Sequence, residues 1–246
     1  LLLSGFFLLI GVQIGNQGYG RGTTVYNSSQ SISEITGIMT LGSVFIIMFF
    51  TINGVIRDKR YGFQPLVFST PLKKRHYFWS QFLGVFVMST VAFSMFMVGF
   101  AITTFFPGLD PELVNPFNIV DYLWTLIIIV LPNIFVCTSI IFSVSLLTKK
   151  NVATYASAIL IYALYFLCSL FLNSPMMANS EPLAADSYVM AALMDPFGLS
   201  AIFEQTQFWT VFEKNTKAIS LAGNFIWNRL LWSGFGMIVL LSAYGL

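Results

Sequence analysis

Long uninterrupted apolar runs constrain the fold of this chain more than any other feature of its sequence. Six runs approach or exceed the roughly 20 residues that an α-helix needs to cross the hydrocarbon core of a bilayer. These runs cover 1–14, 35–56, 78–106, 119–147, 152–172 and 225–246. Charged residues make up only 9% of the chain, whereas a soluble domain usually needs about 25%. The sequence therefore predicts an all-α polytopic membrane protein, in which residues 1–246 form a single transmembrane domain with six spans.

Both ends of the chain lie inside apolar runs, although a transmembrane helix normally has polar or charged flanks. Leu1 opens the first run without a preceding basic segment, and the last run continues to Leu246 without a basic residue at its end. We therefore expect the first span to be truncated and the chain to be an internal part of a longer polypeptide.

Positively charged residues are unevenly distributed between the two sets of alternating loops. The loop 57–77 and the turn 149–151 hold eight lysine and arginine residues, whereas the loops at 15–34, 107–118 and 173–224, with their adjoining helix ends, hold four. Loops rich in lysine and arginine tend to remain on the cytoplasmic side of a membrane. The distribution predicts that 57–77 and the N-terminus are cytoplasmic and that the other set of loops is outside.

Residue types that carry chemistry are scarce in this chain. Its single histidine, His76, lies in a basic run, and its two cysteines, Cys137 and Cys168, lie inside apolar segments. The sequence contains no HExxH, GxSxG or Walker-type lysine loop. We therefore expect no catalytic residue, no bound metal and no bound cofactor. The net charge of +2 is too small to indicate a nucleic-acid partner.

The predicted cytoplasmic loop 57–77 combines basic residues with apolar ones such as Phe63, Leu66 and Phe68. Pro65 suits the first turn of a short helix, and Pro71 would end it. Two interpretations follow from the residues alone. The loop either anchors to anionic lipid headgroups or forms a short amphipathic element that inserts into a cytoplasmic partner.

This loop, between the second and third of six spans, resembles the corresponding loop of type-2 ABC transporter permeases. That family has an Arg-Asp pair, a glycine, an apolar position and Ser-Thr-Pro followed by basic residues, and Gln64 lies where many members have a glutamate. The resemblance implies that the loop is a coupling helix that docks on an ATPase. The resemblance implies that the following residues couple the membrane spans to the ATPase: Arg57, Asp58, Arg60, Gly62, Phe63, Leu66, Phe68, Ser69, Pro71, Lys74 and Arg75.

The resemblance also implies a function and a set of partners. The chain would be the permease component of an exporter in a bacterial cytoplasmic (inner) membrane. A separate cytoplasmic nucleotide-binding subunit would bind ATP and Mg²⁺ and hydrolyse the nucleotide. A second permease, either an identical copy or a paralogue, would complete the translocation path.

The predicted outer loop 173–224 is long for a connection without structure of its own. Asp195 and Pro196 suit the N-cap and first position of a helix. The aromatic and aliphatic residues that follow predict an amphipathic interfacial helix, which either anchors at the headgroups or contacts substrate. We expect the charges of Asp121 and Arg229, near the ends of their spans, to reach the outer interface by snorkelling.

Within the same region, the sequence resembles the permease portion of large fusion proteins that join type-2 permease-like spans to a zinc aminopeptidase-like domain. The matching segments are 193–198, 208–210, 213–215 and 228–232. The signature of the peptidase itself is absent from this chain. The residues of this outer motif are Asp195, Pro196, Phe197, Gly198, Trp209, Glu213, Asn215, Asn228 and Arg229.

Two alternative functions compete with ATP-driven export. The first is a non-transporting membrane anchor or scaffold for an appended peptidase domain. The second is an ion-coupled secondary transporter, which would require buried carboxylates near the middle of the membrane. No Asp or Glu lies near the middle of a predicted span, so this alternative is the weakest.

Overall fold

The computed structural model of this chain describes residues 2–16, 25–57, 62, 73–106, 111–171 and 185–245. Within these ranges all regular secondary structure is helical, apart from one isolated β-bridge between Tyr26 and Val114. Four helical segments are long and apolar enough to cross a membrane. They are Ser29–Ile56, Lys74–Phe105, Ile119–Thr148 and Gly223–Gly245. The predicted all-helical fold is confirmed for the described residues, and these four segments are its candidate membrane spans.

The α-helices of the described ranges are numbered here in chain order. They are α1 (Leu2–Asn16), α2 (Ser29–Met39), α3 (Ser43–Thr51), α4 (Lys74–Ile102), α5 (Ile119–Thr125), α6 (Leu131–Thr148), α7 (Asn151–Phe171), α8 (Ala185–Met194), α9 (Leu199–Thr206), α10 (Val211–Thr216) and α11 (Gly223–Gly245). A 3₁₀ turn, Thr40–Gly42, joins α2 to α3, and a π turn, Leu126–Val130, joins α5 to α6. Thus α2 with α3, and α5 with α6, each form one long span.

The spans agree with the predicted segments at most of their ends, but the second begins earlier than predicted. Helix α2 starts at Ser29, not at residue 35, because Ser28 caps it by accepting the backbone N–H of Ser31. Its polar residues suggested a loop, yet they are buried where α2 packs against α5, α9 and α10. Helix α1 and the apolar stretch Asn151–Leu167 of α7 are shorter than the four long segments, so six spans remain a prediction.

Pro132 lies at the second position of α6, immediately after the π turn Leu126–Val130. Proline lacks a backbone N–H, and its ring clashes with the carbonyl four residues earlier, which here belongs to Ile128. A π turn widens the helix at the point where the regular hydrogen-bond ladder cannot continue. The irregularity therefore lies beside Pro132, a residue that by itself predicts a kink inside a helix.

The helix ends gather into two groups of opposite character. At one end, an aromatic cluster packs Phe78 of α4 against Phe142 of α6 and Tyr244 of α11. Beside it lie the exposed cations of the described residues at this end, which we call the basic end. They are Arg57, Lys73, Lys74, Arg75, Lys149 and Lys150.

At the opposite end, which we call the looped end, the segments 25–28, 113–118 and 204–224 contact one another. Val25 donates its backbone N–H to the side chain of Asn215, and the side chain of Asn115 donates to the carbonyl of Asn215. The indole of Trp124 donates to the carbonyl of Ile219. These bonds join three loops that are far apart in sequence. Loops that meet at one end in this way are expected when successive spans run in alternating directions.

Candidate functional site

Six residues of the predicted outer motif meet below the looped end, at the junction of α8, α9 and α11. Asp195, Pro196, Phe197 and Gly198 form the turn between α8 and α9, and Asn228 and Arg229 face it from α11. Asp195, Phe197, Asn228 and Arg229 are all buried. This buried polar junction, together with Asn133 of α6, which bonds Phe197 and Arg229, is the candidate site.

The turn itself differs from the helix start that the sequence suggests at Asp195. The carbonyl of Asp195 accepts the N–H of Gly198, and α9 begins only at Leu199, with Gly198 in the left-handed region at φ +71°. Asp at the first and Pro at the second position suit a tight turn as well as they suit a helix start. The predicted N-cap position of Asp195 is therefore wrong by three residues.

Asp195 nevertheless stabilises the start of α9 from within this turn. One carboxylate oxygen accepts the N–H of Phe197 at 2.9 Å, and the other accepts the N–H of Ser200 at 2.7 Å. Burial raises the pKa of Asp195, while these hydrogen bonds and the positive charge of Arg229 act in the opposite direction. Burial is the larger effect, so the pKa of this carboxyl group lies above its ordinary value despite the backbone donors and the nearby cation.

Arg229 does not reach the interface by snorkelling, as its position near the start of a span suggested. Its side chain is 6% exposed and packs directly against the backbone of Gly198, where a Cβ atom would lie 1.9 Å from Nη2. Nη1 donates to Oδ1 of Asn133 at 2.7 Å, Nε donates to Oδ1 of Asn228 at 3.0 Å, and Nη2 also donates to Asn228. The guanidinium lies over the ring of Phe225 at 5.3 Å. The α8–α9 turn covers this residue, which leaves its guanidinium with little exposure to solvent.

Asn228 closes the last turn of α8, a role that its position on α11 does not reveal. Its side-chain amide donates to the carbonyls of Ala192 at 2.6 Å and Asp195 at 2.7 Å, with Leu193 at 3.2 Å. The last carbonyls of a helix have no partner within the helix, and a buried helix end needs donors from elsewhere. Asn228 therefore fixes α8 to α11 while its own oxygen holds Arg229.

Asn133 is the functional residue that reasoning from sequence missed. It is 1% exposed, donates to Thr40 Oγ1 at 2.9 Å and to the carbonyl of Phe197 at 3.1 Å, and accepts from Arg229. It thereby joins the 3₁₀ turn of the second span, the segment after Pro132, the α8–α9 turn and α11. A signal for Asn133 was available in the sequence. Asparagine is rare inside an apolar span, because burying its amide without hydrogen-bond partners is costly.

The remaining outer-motif residues lie apart from this junction. Glu213 belongs to a capping box with Thr210 at the start of α10, and its carboxylate also bonds Lys217 at 2.6 Å. These contacts lower the pKa of Glu213 to about 2, with the hydrogen bond from Lys217 as the largest cause. Asn215 holds the loops at the looped end together, and Trp209 packs against an apolar cluster that includes Ile202. They are structural residues of the looped end.

The predicted coupling loop falls mostly outside the described residues. Asp58, Arg60, Phe63, Leu66, Phe68, Ser69 and Pro71 all lie outside them. Arg57, Lys74 and Arg75 are exposed at the basic end, and Gly62 has φ +67°. Lys74 Nζ lies 5.4 Å from the centre of the Tyr244 ring, so one end of the loop is tied to the end of α11.

The described residues bring no three metal-ligating side chains together. In the polar junction, the guanidinium, the two amides and the carboxylate are hydrogen-bonded to one another, to the Thr40 hydroxyl or to the backbone. Such an arrangement is suited to holding elements in a fixed relation. Comparisons with known protein families, with curated proteins and with solved structures find no match for this chain.

Proposed function

We propose that this chain is the membrane-spanning permease component of an ATP-driven exporter, and that its basic end binds a cytoplasmic ATPase. The observation that carries the proposal is the sequence pattern of the loop between Arg57 and Arg75, whose flanking residues Ile56 and Phe78 lie in a buried aromatic cluster. ATP and Mg²⁺ would bind to the partner, and a second permease would complete the path. The basic end would face the cytoplasm of a bacterial cell.

Packing at the basic end supports a mechanical role for this loop. Val55 and Ile56 precede the loop, and Phe78 and Phe82 follow it, all buried in one cluster with Phe142 and Leu240. A push on the loop would therefore act on the ends of four spans at once. Closely packed aromatic side chains resist compression, so a displacement of the loop would move these helices as rigid bodies.

The polar junction supports the same proposal from the other end of the spans. Asn133 and Arg229 connect the α8–α9 turn to the two helices whose opposite ends meet at Phe142 and Leu240. Movement of α6 relative to α11 at the basic end would strain or break these bonds. The junction is therefore the point at which a displacement of these two spans would reach the α8–α9 turn.

A purification of the natural polypeptide in mild detergent, followed by mass spectrometry of what accompanies it, tests the proposal. We expect an ATPase with Walker motifs at one copy per permease. Replacing Arg57 and Arg75 by alanine is expected to release it, because two exposed charges of the docking surface are lost. The matched control replaces Lys149 and Lys150, two exposed cations of the same end in another loop, and is expected to retain the ATPase.

A second variant separates docking from coupling. Phe63→Ala combined with Leu66→Ala removes apolar contacts expected to enter the ATPase, and should lower substrate-stimulated ATP hydrolysis in proteoliposomes. Normal coupled hydrolysis in this variant would contradict the mechanical role of the loop. A single large polypeptide without an ATPase would contradict the proposed function and favour a membrane anchor for an appended peptidase domain.

A further inference from the structure

A long apolar groove runs between α7 and α11, with α6 as its floor. Helix α6 packs against both neighbours, and the lining side chains recur at helical spacing on each. On α6 they include Val136, Ile140 and Val144, and on α11 they include Trp232 and Phe235. The cavity volume is about 370 Å³, within the range of sites for small molecules.

The polar atoms that line the groove are bonded within the protein. Ser157 donates to the carbonyl of Thr154 at 2.8 Å, and the indole of Trp232 donates to the carbonyl of Leu193 at 3.1 Å. The hydroxyl of Tyr165 is hydrogen-bonded to Ser169, and the buried Cys137 thiol acts as a small apolar group. An occupant therefore meets hydrocarbon surface and needs no polar atom of its own in the groove.

The groove is closed towards the looped end and open to the side. Met194, Pro196 and Phe197 close it, and the ring of Tyr165 packs edge-on against Phe197 with centroids 5.1 Å apart. Along its side, Leu160 is 56% exposed and Leu164 51% exposed. In a membrane these side chains face lipid tails, so a lipid acyl chain can enter from the side.

Two cations lie at the other end of the same pair of helices. Lys149 and Lys150 connect α6 to α7, and both are exposed. Along α6, Val144 and Val136 lie about 8 and 20 Å from Lys149, at ~1.5 Å per residue. One leaflet of hydrocarbon is about 15 Å deep, half of the ~30 Å core. A phospholipid whose phosphate contacts these lysines would therefore extend its acyl chain into the groove.

We propose that the α6–α7 junction and this groove form a binding site for an anionic phospholipid of the surrounding leaflet. The phosphate contacts Lys149 and Lys150, and one acyl chain enters the groove past Val144 and lies over Ile140. Basic sites between transmembrane helices are suited to anionic headgroups, and the described residues at the basic end include no acid that would oppose one. The site requires no ATPase and so stands independently of the proposed function.

Retention of defined lipids by the full-length polypeptide tests this site. The purified protein is incubated with phosphatidylglycerol or phosphatidylcholine, passed through gel filtration, and analysed for bound lipid by mass spectrometry. We expect about one phosphatidylglycerol per chain and much weaker retention of phosphatidylcholine. Lys149→Gln and Lys150→Gln should each lower phosphatidylglycerol retention by about fivefold, since one cation near a membrane surface contributes about that factor.

A matched pair of isoleucine substitutions tests the groove itself. Ile140→Phe fills its floor and should abolish lipid retention, whereas Ile159→Phe changes a side chain that is 68% exposed outside the groove and should preserve it. Equal retention of both lipids, or unchanged retention by the Ile140→Phe variant, would overturn the proposal. Absence of retained phosphatidylglycerol would also overturn it. Cross-linking of two copies through Leu160→Cys would in that case identify a second chain as the occupant of the groove.

Discussion

Arg229 of α11 donates a 2.7 Å hydrogen bond from Nη1 to Oδ1 of Asn133, which follows Pro132 on α6. This bond joins two long membrane-spanning segments at the level where the α8–α9 turn reaches into the bundle. Both residues bond several elements, so the loss of either leaves buried polar groups without partners. Such groups cost about 1–3 kcal/mol each when they are left unsatisfied.

Removing the guanidinium should destabilise the protein far more than removing an exposed cation. Arg229→Ala leaves the Oδ1 atoms of Asn133 and Asn228 without this donor, and we expect the free energy of unfolding to fall by about 3 kcal/mol or more. Thermal unfolding in detergent measures the change. Arg75→Ala, at an exposed position, should alter it by less than about 0.5 kcal/mol. Equal effects of the two substitutions would show that the buried network contributes little.

Gly198 should be intolerant of any side chain for two separable reasons. Its φ of +71° costs an alanine about 1–2 kcal/mol, and a Cβ there would lie 1.9 Å from Arg229 Nη2. Gly223 has a similar φ of +57° but no atom near its missing Cβ. We therefore expect Gly198→Ala to destabilise the protein by about 3 kcal/mol and Gly223→Ala by about 1 kcal/mol. Similar melting temperatures would show that Arg229 moves aside at no cost.

Reasoning from sequence located the long spans because apolar runs of the right length have few alternatives in a membrane. The ends of the spans at 74–105, 119–148 and 223–245 differ by only a few residues from those predicted. The stretch 29–34 was misassigned because its polar side chains resembled a loop. Their burial depends on α5, α9 and α10, which no local pattern specifies.

The candidate site shows the same limit. Asp195, Gly198, Asn228 and Arg229 were singled out as a motif, but each was expected at a membrane surface. The sequence does not reveal that α8 and α9 fold back over α11, and this covering of Arg229 makes snorkelling impossible. Asn133 could have been singled out, because a buried arginine and a buried asparagine in apolar spans each require polar partners.

Helices α1 and α4 approach so closely at two glycines that neither tolerates a side chain. A Cβ on Gly11 would lie 2.1 Å from the carbonyl oxygen of Phe96, and one on Gly99 would lie 2.2 Å from that of Leu8. Small residues permit such contact between membrane helices. Gly11→Ala should therefore destabilise the protein by about 1–3 kcal/mol.

Gly5 is the matched control for this contact, since it lies on the same helix and no atom lies within 4 Å of the place that a Cβ would occupy. Gly5→Ala should leave the melting temperature unchanged or raise it slightly, because alanine favours the helix. If Gly11→Ala has the same effect as Gly5→Ala, the close approach of α1 to α4 is contradicted.

The capping box of α10 should make the looped end sensitive to strong acid. The pKa of Glu213 is lowered from 4.5 to about 2 by Lys217 and Thr210, so its stabilising contribution is complete above about pH 4.5 and is lost as the pH falls through 2. Fluorescence of Trp209, isolated by comparison with Trp209→Phe, should change with a midpoint near pH 2. Glu213→Gln keeps an acceptor for Thr210 but cannot titrate, so its signal should stay flat. A wild-type midpoint near pH 4.5 would show that the folded protein does not stabilise this carboxylate.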